Sequence, residues 1–487
     1  MNPKSLFQRT RTPALIAGSV SLLAIFGQAG MAQVSKVIPA HTIKEEYVVY
    51  GNPNMSGGED EVAVNPTDPN NIIVGMLTGH NRLANGDLTD GSAEQRQRRL
   101  REAGNAYHTF AVTWDRGITW TYFDESHDHM NRDKIVSNYD ADVVFAPDGT
   151  LYRYVERDGG EVTSSVDKGK TWSANIAPNR EHGMLGARLQ LLVDNSTGAL
   201  YITGRGTGTL PPPAGTPPPP AGAPAPQSYP SFLVSHDKGR TWSPPQVFNI
   251  PGNPPLGGGI SFGMTAGNGR VADAFTSGTA AAAKIVFSTS KDDGKTFETH
   301  TVPYQGPKPL IVELAGDQSK AGRYAVVTSS PDATQIWVYQ TEDYGNSWTK
   351  VVAAQAPKGT LLQNKDSDTP AARLMKVLSG GDTTMLWATK YAPKGGQLAI
   401  LWRARYPDDS YDVWSTYSND GGKTFKSLRV SNATSPAKSV ERSNFLRHED
   451  YWSLDFDNDS VHYIYTGSQP GFLASWYARV PIADYLK

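Results

Sequence analysis

The 487-residue sequence contains no cysteine. Disulfides and thiolate-bound metals are therefore excluded, and stability has to come from the size of the core. An excess of charge of one sign is also lacking. The 46 Lys and Arg residues against 48 Asp and Glu leave a formal net charge of −2, which removes the electrostatic reason for a nucleic-acid or anionic-membrane partner. Long helical apolar patterns are nearly absent, and beyond the N-terminal segment no run is apolar enough to span a bilayer. In their place stand 47 Gly, 34 Pro, 22 Tyr and 11 Trp, a composition of turns and of aromatic residues suited to strands.

The first residues carry an address. Lys4, Arg9 and Arg11 precede an apolar run from Ala14 to Phe26, and the small-residue pattern Gly30-Met31-Ala32 follows. This reads as a signal peptide over residues 1–32, cleaved before Gln33, for a secreted or periplasmic protein with no membrane span after cleavage. Residues 33–58 then form an N-terminal segment whose strand Glu45 to Tyr50 is placed to close the last unit of a repeat domain over 59–487.

The repeat itself is Ser/Thr-x-Asp-x-Gly-x-Ser/Thr-Trp/Phe. Six complete copies begin at Thr113, Ser165, Ser235, Ser290, Thr341 and Ser418, with aspartates at Asp115, Asp167, Asp237, Asp292, Asp343 and Asp420. In a tight turn between strands the Asp can accept amide hydrogen bonds, the Gly can take positive φ, and the hydroxyls can close the loop. The terminal aromatic (Trp120, Trp172, Trp242, Phe297, Trp348, Phe425) can be buried between neighbouring sheets. These are structural roles, so none of the six aspartates is a catalytic candidate. The period of roughly 50 residues suits a four-stranded propeller blade. Of the two longer intervals, Asp167 to Asp237 contains a Pro-Ala-Gly loop at 210–227, too poor in ladder-forming residues for a strand. Between the boxes recurs an apolar strand, a turn and a second apolar strand, as in Asp142 to Tyr152, Leu189 to Tyr201 and Tyr451 to Tyr463. Seven such units against six boxes favour seven blades over six in a single all-β propeller.

The boxes resemble the Asp-box (BNR) repeat of the sialidase superfamily. The phrases Glu59 to Gly75, Asp412 to Phe425 and Glu449 to Trp452 resemble exported bacterial sialidase-like proteins of that superfamily, and the likeness spans Asp60 to about Arg479. It implies a glycan as partner, no cofactor and no metal, and a site where the inner strands begin. Polar residues at those positions are Glu59, Asp60 and Glu61, Asp140 and Asp142, Arg188, Arg373, and the run Arg447 to Tyr451. Sialidases hold the substrate carboxylate with arginines, attack with a Tyr activated by a Glu, and use an Asp as acid/base. By that resemblance Arg188, Arg373 and Arg447 form the clamp, Tyr451 is the nucleophile beside Glu449 and Asp450, and Asp60 is the acid. The Arg-Ile-Pro motif that sialidases carry before the first box is absent, its place taken by Arg82-Leu-Ala.

Two other classes stay open. His80, His108, His127, His129 and His182, with a Tyr and an Arg, are equipment for a polysaccharide lyase acting on uronates, and the missing Arg motif fits a non-catalytic glycan- or protein-binding propeller. His127-Asp128-His129 lacks a third ligand at readable spacing, so no metal site is expected. The Arg96 to Arg101 run reads as a solvated face.

Overall fold

Runs such as Leu398-Ala-Ile-Leu-Trp-Arg-Ala-Arg405 are apolar at nearly every position, the pattern of a strand covered on both faces. In the computed structural model this strand is sandwiched. Leu398, Ile400, Trp402 and Ala404 pack toward one neighbouring sheet, while Ala399 and Leu401 pack toward the other. The same arrangement recurs round the molecule, giving seven apolar cores, one at each junction between successive sheets. The structure describes residues 8–9, 43, 45–51, 55–80, 107–124, 141–155, 160–173, 184–206, 229–248, 263–278, 283–307, 309, 312–362, 387–408, 410–436, 452–470 and 474–487. Among the described residues no helix is long and apolar enough to cross a membrane.

Seven antiparallel sheets form a seven-bladed β-propeller. Blade 1 comprises Met55–Val64, Ile72–His80, Tyr107–Thr113 and Trp120–Asp124, with the short strand Gln8–Arg9 along its outer edge. Blade 2 comprises Ala141–Phe145, Leu151–Val155 and Glu161–Ser165. Blade 3 is Met184–Val193, Leu200–Gly206, Tyr229–Ser235 and Gln246–Val247, and blade 4 is Met264–Gly267, Arg270–Gly278, Ala283–Ser290 and Glu298–Val302. Blade 5 is Val312–Gly316, Tyr324–Ser329, Gln335–Thr341 and Thr349–Gln355, and blade 6 is Ala388–Tyr391, Leu398–Arg405, Tyr411–Ser418 and Lys426–Arg429. Blade 7 takes Ser453–Phe456, Ser460–Gly467 and Ala474–Pro481 from the end of the chain and Glu45–Tyr50 from its beginning as the outer strand. Tyr47 and Val49 also tie that strand to blade 1, through Tyr47 Oη donating to Gly117 O at 2.8 Å and Tyr122 Oη donating to Val49 O at 2.7 Å.

Each box leaves the third strand of a different blade, and the six turns share one geometry. The first hydroxyl accepts from the Gly amide and donates to the Asp, as in Gly169 N to Ser165 Oγ at 2.8 Å and Ser165 Oγ to Asp167 Oδ1 at 2.8 Å. The second hydroxyl residue donates to the Asp through both its amide and its side chain, as with Thr171 at 2.8 and 2.6 Å. The residue after the Asp takes left-handed φ in every copy, from Asp293 at 56° to Gly421 at 80°. That conformation aims its side chain at the preceding blade. Arg116 thus meets Asp457 and Asp459 of blade 7, Lys168 meets Asp68 of blade 1, and Lys238 meets Asp148 of blade 2. In blade 5 the ring of Tyr344 lies 4.2 Å from the Arg270 guanidinium of blade 4.

The box aromatics correct one expectation. Only Trp120 is buried; Trp172, Trp242, Phe297, Trp348 and Phe425 are half-buried against the inter-blade cores. Phe297, Trp348 and Phe425 directly precede the outer strands of their blades, and among the described residues no further strand pairs with those outer strands.

Candidate functional site

The seven inner strands surround a central channel containing a cavity of about 470 Å³. The chain enters every inner strand from one face of the propeller, here the entry face. The turns between first and second strands and the box turns therefore share the opposite face. The cavity extends to that opposite face, where Thr67, Pro147, Asn195, Gln318 and Lys394 line it.

Charged inner-strand residues reach its wall from five blades: Glu61, Asp142, Glu313, Lys390 and Asp455. Two of these carboxylates stitch neighbouring inner strands together. Asp142 of blade 2 accepts from Leu191 N of blade 3 at 2.7 Å, and Asp455 of blade 7 accepts from Val64 N of blade 1 at 2.8 Å. The other oxygen of Asp455 lies 2.7 Å from Lys390 Nζ of blade 6. Blade 4 turns between its first two strands through only Asn268-Gly269, both in the left-handed region. Gln318 of blade 5 crosses this short turn to reach blade 3, donating to Val193 O at 3.1 Å and accepting from Asn195 N at 2.7 Å.

Toward the entry face two inner strands bulge. In blade 1 the ladder passes from Gly58–Leu77 to Glu61–Gly75, so Glu59 and Asp60 stand opposite Met76 alone. In blade 3 it passes from Leu185–Arg205 to Gln190–Thr203, setting residues 186–189 opposite Gly204. Such bulges bend a strand and re-aim its side chains. Asp60 lies in the first bulge and Arg188 in the second.

Asp60 has no exposed surface. Its carboxyl accepts from Thr466 Oγ1 at 2.9 Å and from Ser475 Oγ, both on blade 7. Burial pushes its pKa up to about 7, against the opposing effect of the Ser475 and Thr466 hydrogen bonds. Arg188 is placed by its backbone in the inner strand of blade 3. Arg373, Arg447, Glu449, Asp450 and Tyr451 lie outside the described residues, as do Glu59's side chain, Asp140, Arg82, the 210–227 loop and the Arg96 to Arg101 run. Of the five histidines, His108 is buried on the third strand of blade 1 with its ring 6.0 Å from Phe110, and His80 is placed by its backbone alone. His127, His129 and His182 lie outside the described residues. Among the described residues no group of three or more His, Asp or Glu is placed to hold a metal.

Sequence reasoning missed Glu313, Lys390 and Asp455 as channel-wall residues. The available signal was a single charged residue inside an inner strand, as in Val312-Glu-Leu-Ala-Gly316 and Ser453-Leu-Asp-Phe456. It also missed Arg403, which is fully buried near the entry end of blade 6, its guanidinium 5.3 Å from the Tyr411 ring. Tyr411 in turn packs on Trp452, whose centroid is 6.2 Å away and which directly follows the Arg447 to Tyr451 run.

No protein-family model matches the sequence, and no curated protein sequence matches it. Solved structures similar to it include a protein of unknown function from Dyadobacter fermentans, at 14% identity and a TM-score of 0.42, covering 78% of this chain and 99% of that one. Trypanosoma rangeli sialidase in complex with 2,3-difluorosialic acid aligns at 15% identity and a TM-score of 0.39, over 74% of this chain and 56% of the sialidase. The GH93 α-L-arabinofuranosidase of Fusarium graminearum, in complex with arabinobiose, aligns at 14% identity and a TM-score of 0.39, over 74% of this chain and 97% of that one.

Proposed function

We propose that the protein is an exported, sialidase-like glycoside hydrolase whose site lies on the entry face of the channel. The observation that carries this reading is the pair of inner-strand bulges in blades 1 and 3, which hold Asp60 and the backbone of Arg188 toward the entry face. The Asp-box phrases and the Glu449 to Trp452 phrase support it from the sequence side.

In this reading Arg188, Arg373 and Arg447 hold the carboxylate of an acidic sugar, and Glu449 takes the proton of Tyr451 as the phenol oxygen attacks the anomeric carbon. In the acid role Asp60, whose carboxyl, pushed up to about 7, still carries a proton at neutral pH, has to exchange the Thr466 and Ser475 hydroxyls that bury it for the leaving-group oxygen. Water then attacks the anomeric carbon, surrendering a proton to Asp60, while Glu449 returns its proton to the departing Tyr451 phenolate, so that the sugar is released and both residues are restored. Glu61, on the channel wall beside Asp60, and Asp450 are the further carboxyls near this path.

The test is an activity screen of the mature protein on sialosides and on uronate-containing polysaccharides, following reducing ends and the absorbance of unsaturated uronate in parallel. Release of reducing ends without that absorbance supports hydrolysis. Unsaturated product indicates a lyase, and no product on either substrate class indicates a binding propeller; either result overturns the proposal.

A further inference from the structure

We propose that the seam closing the ring, where the N-terminal strand and blade 7 meet blades 6 and 1, is an alkali-sensitive closure that tightens in acid and loosens as Glu46 and Asp60 ionise. The inference is independent of any catalytic role, because it concerns what holds the ring shut.

The two carboxyls sit at opposite sides of blade 7. Glu46, on the outer strand, accepts from Tyr465 Oη of blade 7 and from Asn432 N, which follows the last strand of blade 6, at 2.7 Å. Asn432 also clamps the start of the strand, donating from Nδ2 to Ile43 O at 2.8 Å and accepting from Ile43 N at 2.7 Å. Asp60, on the blade 1 side, is held by the Thr466 and Ser475 hydroxyls. Every direct partner of both carboxyls is thus a neutral donor. Among the described residues, the charged groups around them are committed elsewhere. Arg429, whose field reaches Glu46, donates to Asp412 at 2.8 Å; Arg479 pairs with Glu45 on the same strand as Glu46; Lys390 pairs with Asp455. In the turn between the first two strands of blade 7, Asp457 is engaged by Arg116 and by His462 Nε2 at 2.9 Å, and His462 Nδ1 lies 2.6 Å from Tyr477 Oη. Among the described residues, no cation pairs with Asp60 or Glu46.

Burial therefore dominates, and it pushes both carboxyls up to about 7, against the hydrogen bonds from Ser475 and Thr466 on Asp60 and from Tyr465 and Asn432 on Glu46. A carboxyl whose folded value lies above its unfolded value contributes fully below the unfolded value, near pH 4. That contribution is lost progressively as pH rises to about 7, because the opened state sheds protons that the closed state keeps. Opening blade 7 releases both groups to water at once.

Hydrogen-exchange protection of the full chain, corrected for intrinsic exchange rates and read at about pH 5, 7 and 8, tests the closure. Amides of Glu45–Tyr50 and Ala474–Pro481 should lose roughly a hundredfold of their protection or more across that range, while those of Tyr324–Ser329 in blade 5 hold theirs. In the Glu46→Gln and Asp60→Asn double variant the pH dependence should vanish. A seam no more pH-dependent than blade 5 overturns the proposal, and so does an undiminished slope in a folded double variant. If the double variant does not fold, the contrast between seam and blade 5 in the unaltered protein decides alone.

Discussion

Arg116 reaches from the box turn of blade 1 onto the buried Asp457 carboxylate in the first turn of blade 7, with Nε donating to Oδ2 at 3.1 Å and Nη2 closing on the same oxygen. His462 Nε2 meets that oxygen at 2.9 Å, and the Asp457 amide neighbours Asp459 N and Ser460 N donate to Oδ1 at 2.9 and 2.7 Å. Burial opposes ionisation of Asp457, but His462 and Arg116 outweigh it and hold the carboxyl well below its usual range. The first blade is thereby locked to the last by a carboxylate whose side chain is almost fully buried.

Removing that charge affects two partners. Asp457→Ala should cost about 3–5 kcal/mol, because buried His462 loses its hydrogen-bond partner and partly buried Arg116 keeps only the exposed Asp459. The repeated contact between Lys168 and Asp68 has the same origin in the box geometry, but both side chains are substantially exposed. Lys168→Ala should therefore cost less than about 1 kcal/mol. Urea denaturation of the two variants measures the difference. Equal losses would show that the blade 1–blade 7 contact is no special closure.

The box aspartates set an acid limit. The backbone and side chain of Thr241 hold Asp237 down to about 2, the Ser347 and Thr341 hydroxyls do the same for Asp343, and in Asp167 the Thr171 and Ser165 bonds prevail over burial to reach about 2. With folded values below the unfolded ones, their contribution is present above about pH 4 and is lost as pH falls toward about 2. Asp167→Ala should lower stability by about 1–3 kcal/mol at neutral pH. It should also flatten the stability loss between about pH 4 and pH 2, with activity retained. Denaturation midpoints across that range, together with an activity assay, check both; a folded but inactive variant would move the box into the catalytic machinery.

Much of this was legible because it is local. The partners of each box Asp lie within eight residues, and the strand-turn-strand phrase that recurs seven times counts the blades. What the box residue after the Asp touches was not legible, since Arg116 and Asp457 meet only when the ring closes. The site was harder still. Asp60 and Glu61 are adjacent carboxyls, and strict alternation would face one to the channel and one to the wall; the bulge opposite Met76 decides which, and no local pattern announces it. The half-burial of Phe425 likewise depends on whether another strand covers the outer edge.

The inner-strand stitches give a third expectation. Asp142→Ala leaves Leu191 N without its acceptor inside the channel wall, and Asp455→Ala does the same to Val64 N, so each should cost about 1–3 kcal/mol. Asn at either position keeps an acceptor and should cost less. Faster amide exchange at Leu191 in the first variant and at Val64 in the second, with blade 5 unchanged, would locate the effect; exchange that rises uniformly would mean that the stitches act only through global stability.

The proposed site makes the sharpest demand. An acidic sugar brought into a partly dry channel mouth needs its carboxylate paired, and the bulge in blade 3 sets Arg188 where the inner strand departs from its ladder at the entry face. Truncating one partner of such a charge pair costs about 2–5 kcal/mol, so Arg188→Ala should cut kcat/KM by roughly 30-fold or more. Asp60→Asn removes the proton donor and should depress kcat. In the unaltered enzyme kcat/KM should fall as pH rises through about 7, where Asp60 gives up its proton. Tyr451→Phe deletes the attacking oxygen and should abolish the covalent intermediate while substrate still binds. Circular dichroism and the denaturation midpoint establish that each variant is folded before its kinetics are read. Full activity in both Arg188→Ala and Tyr451→Phe, on whichever glycan the screen identifies, would remove the entry-face site.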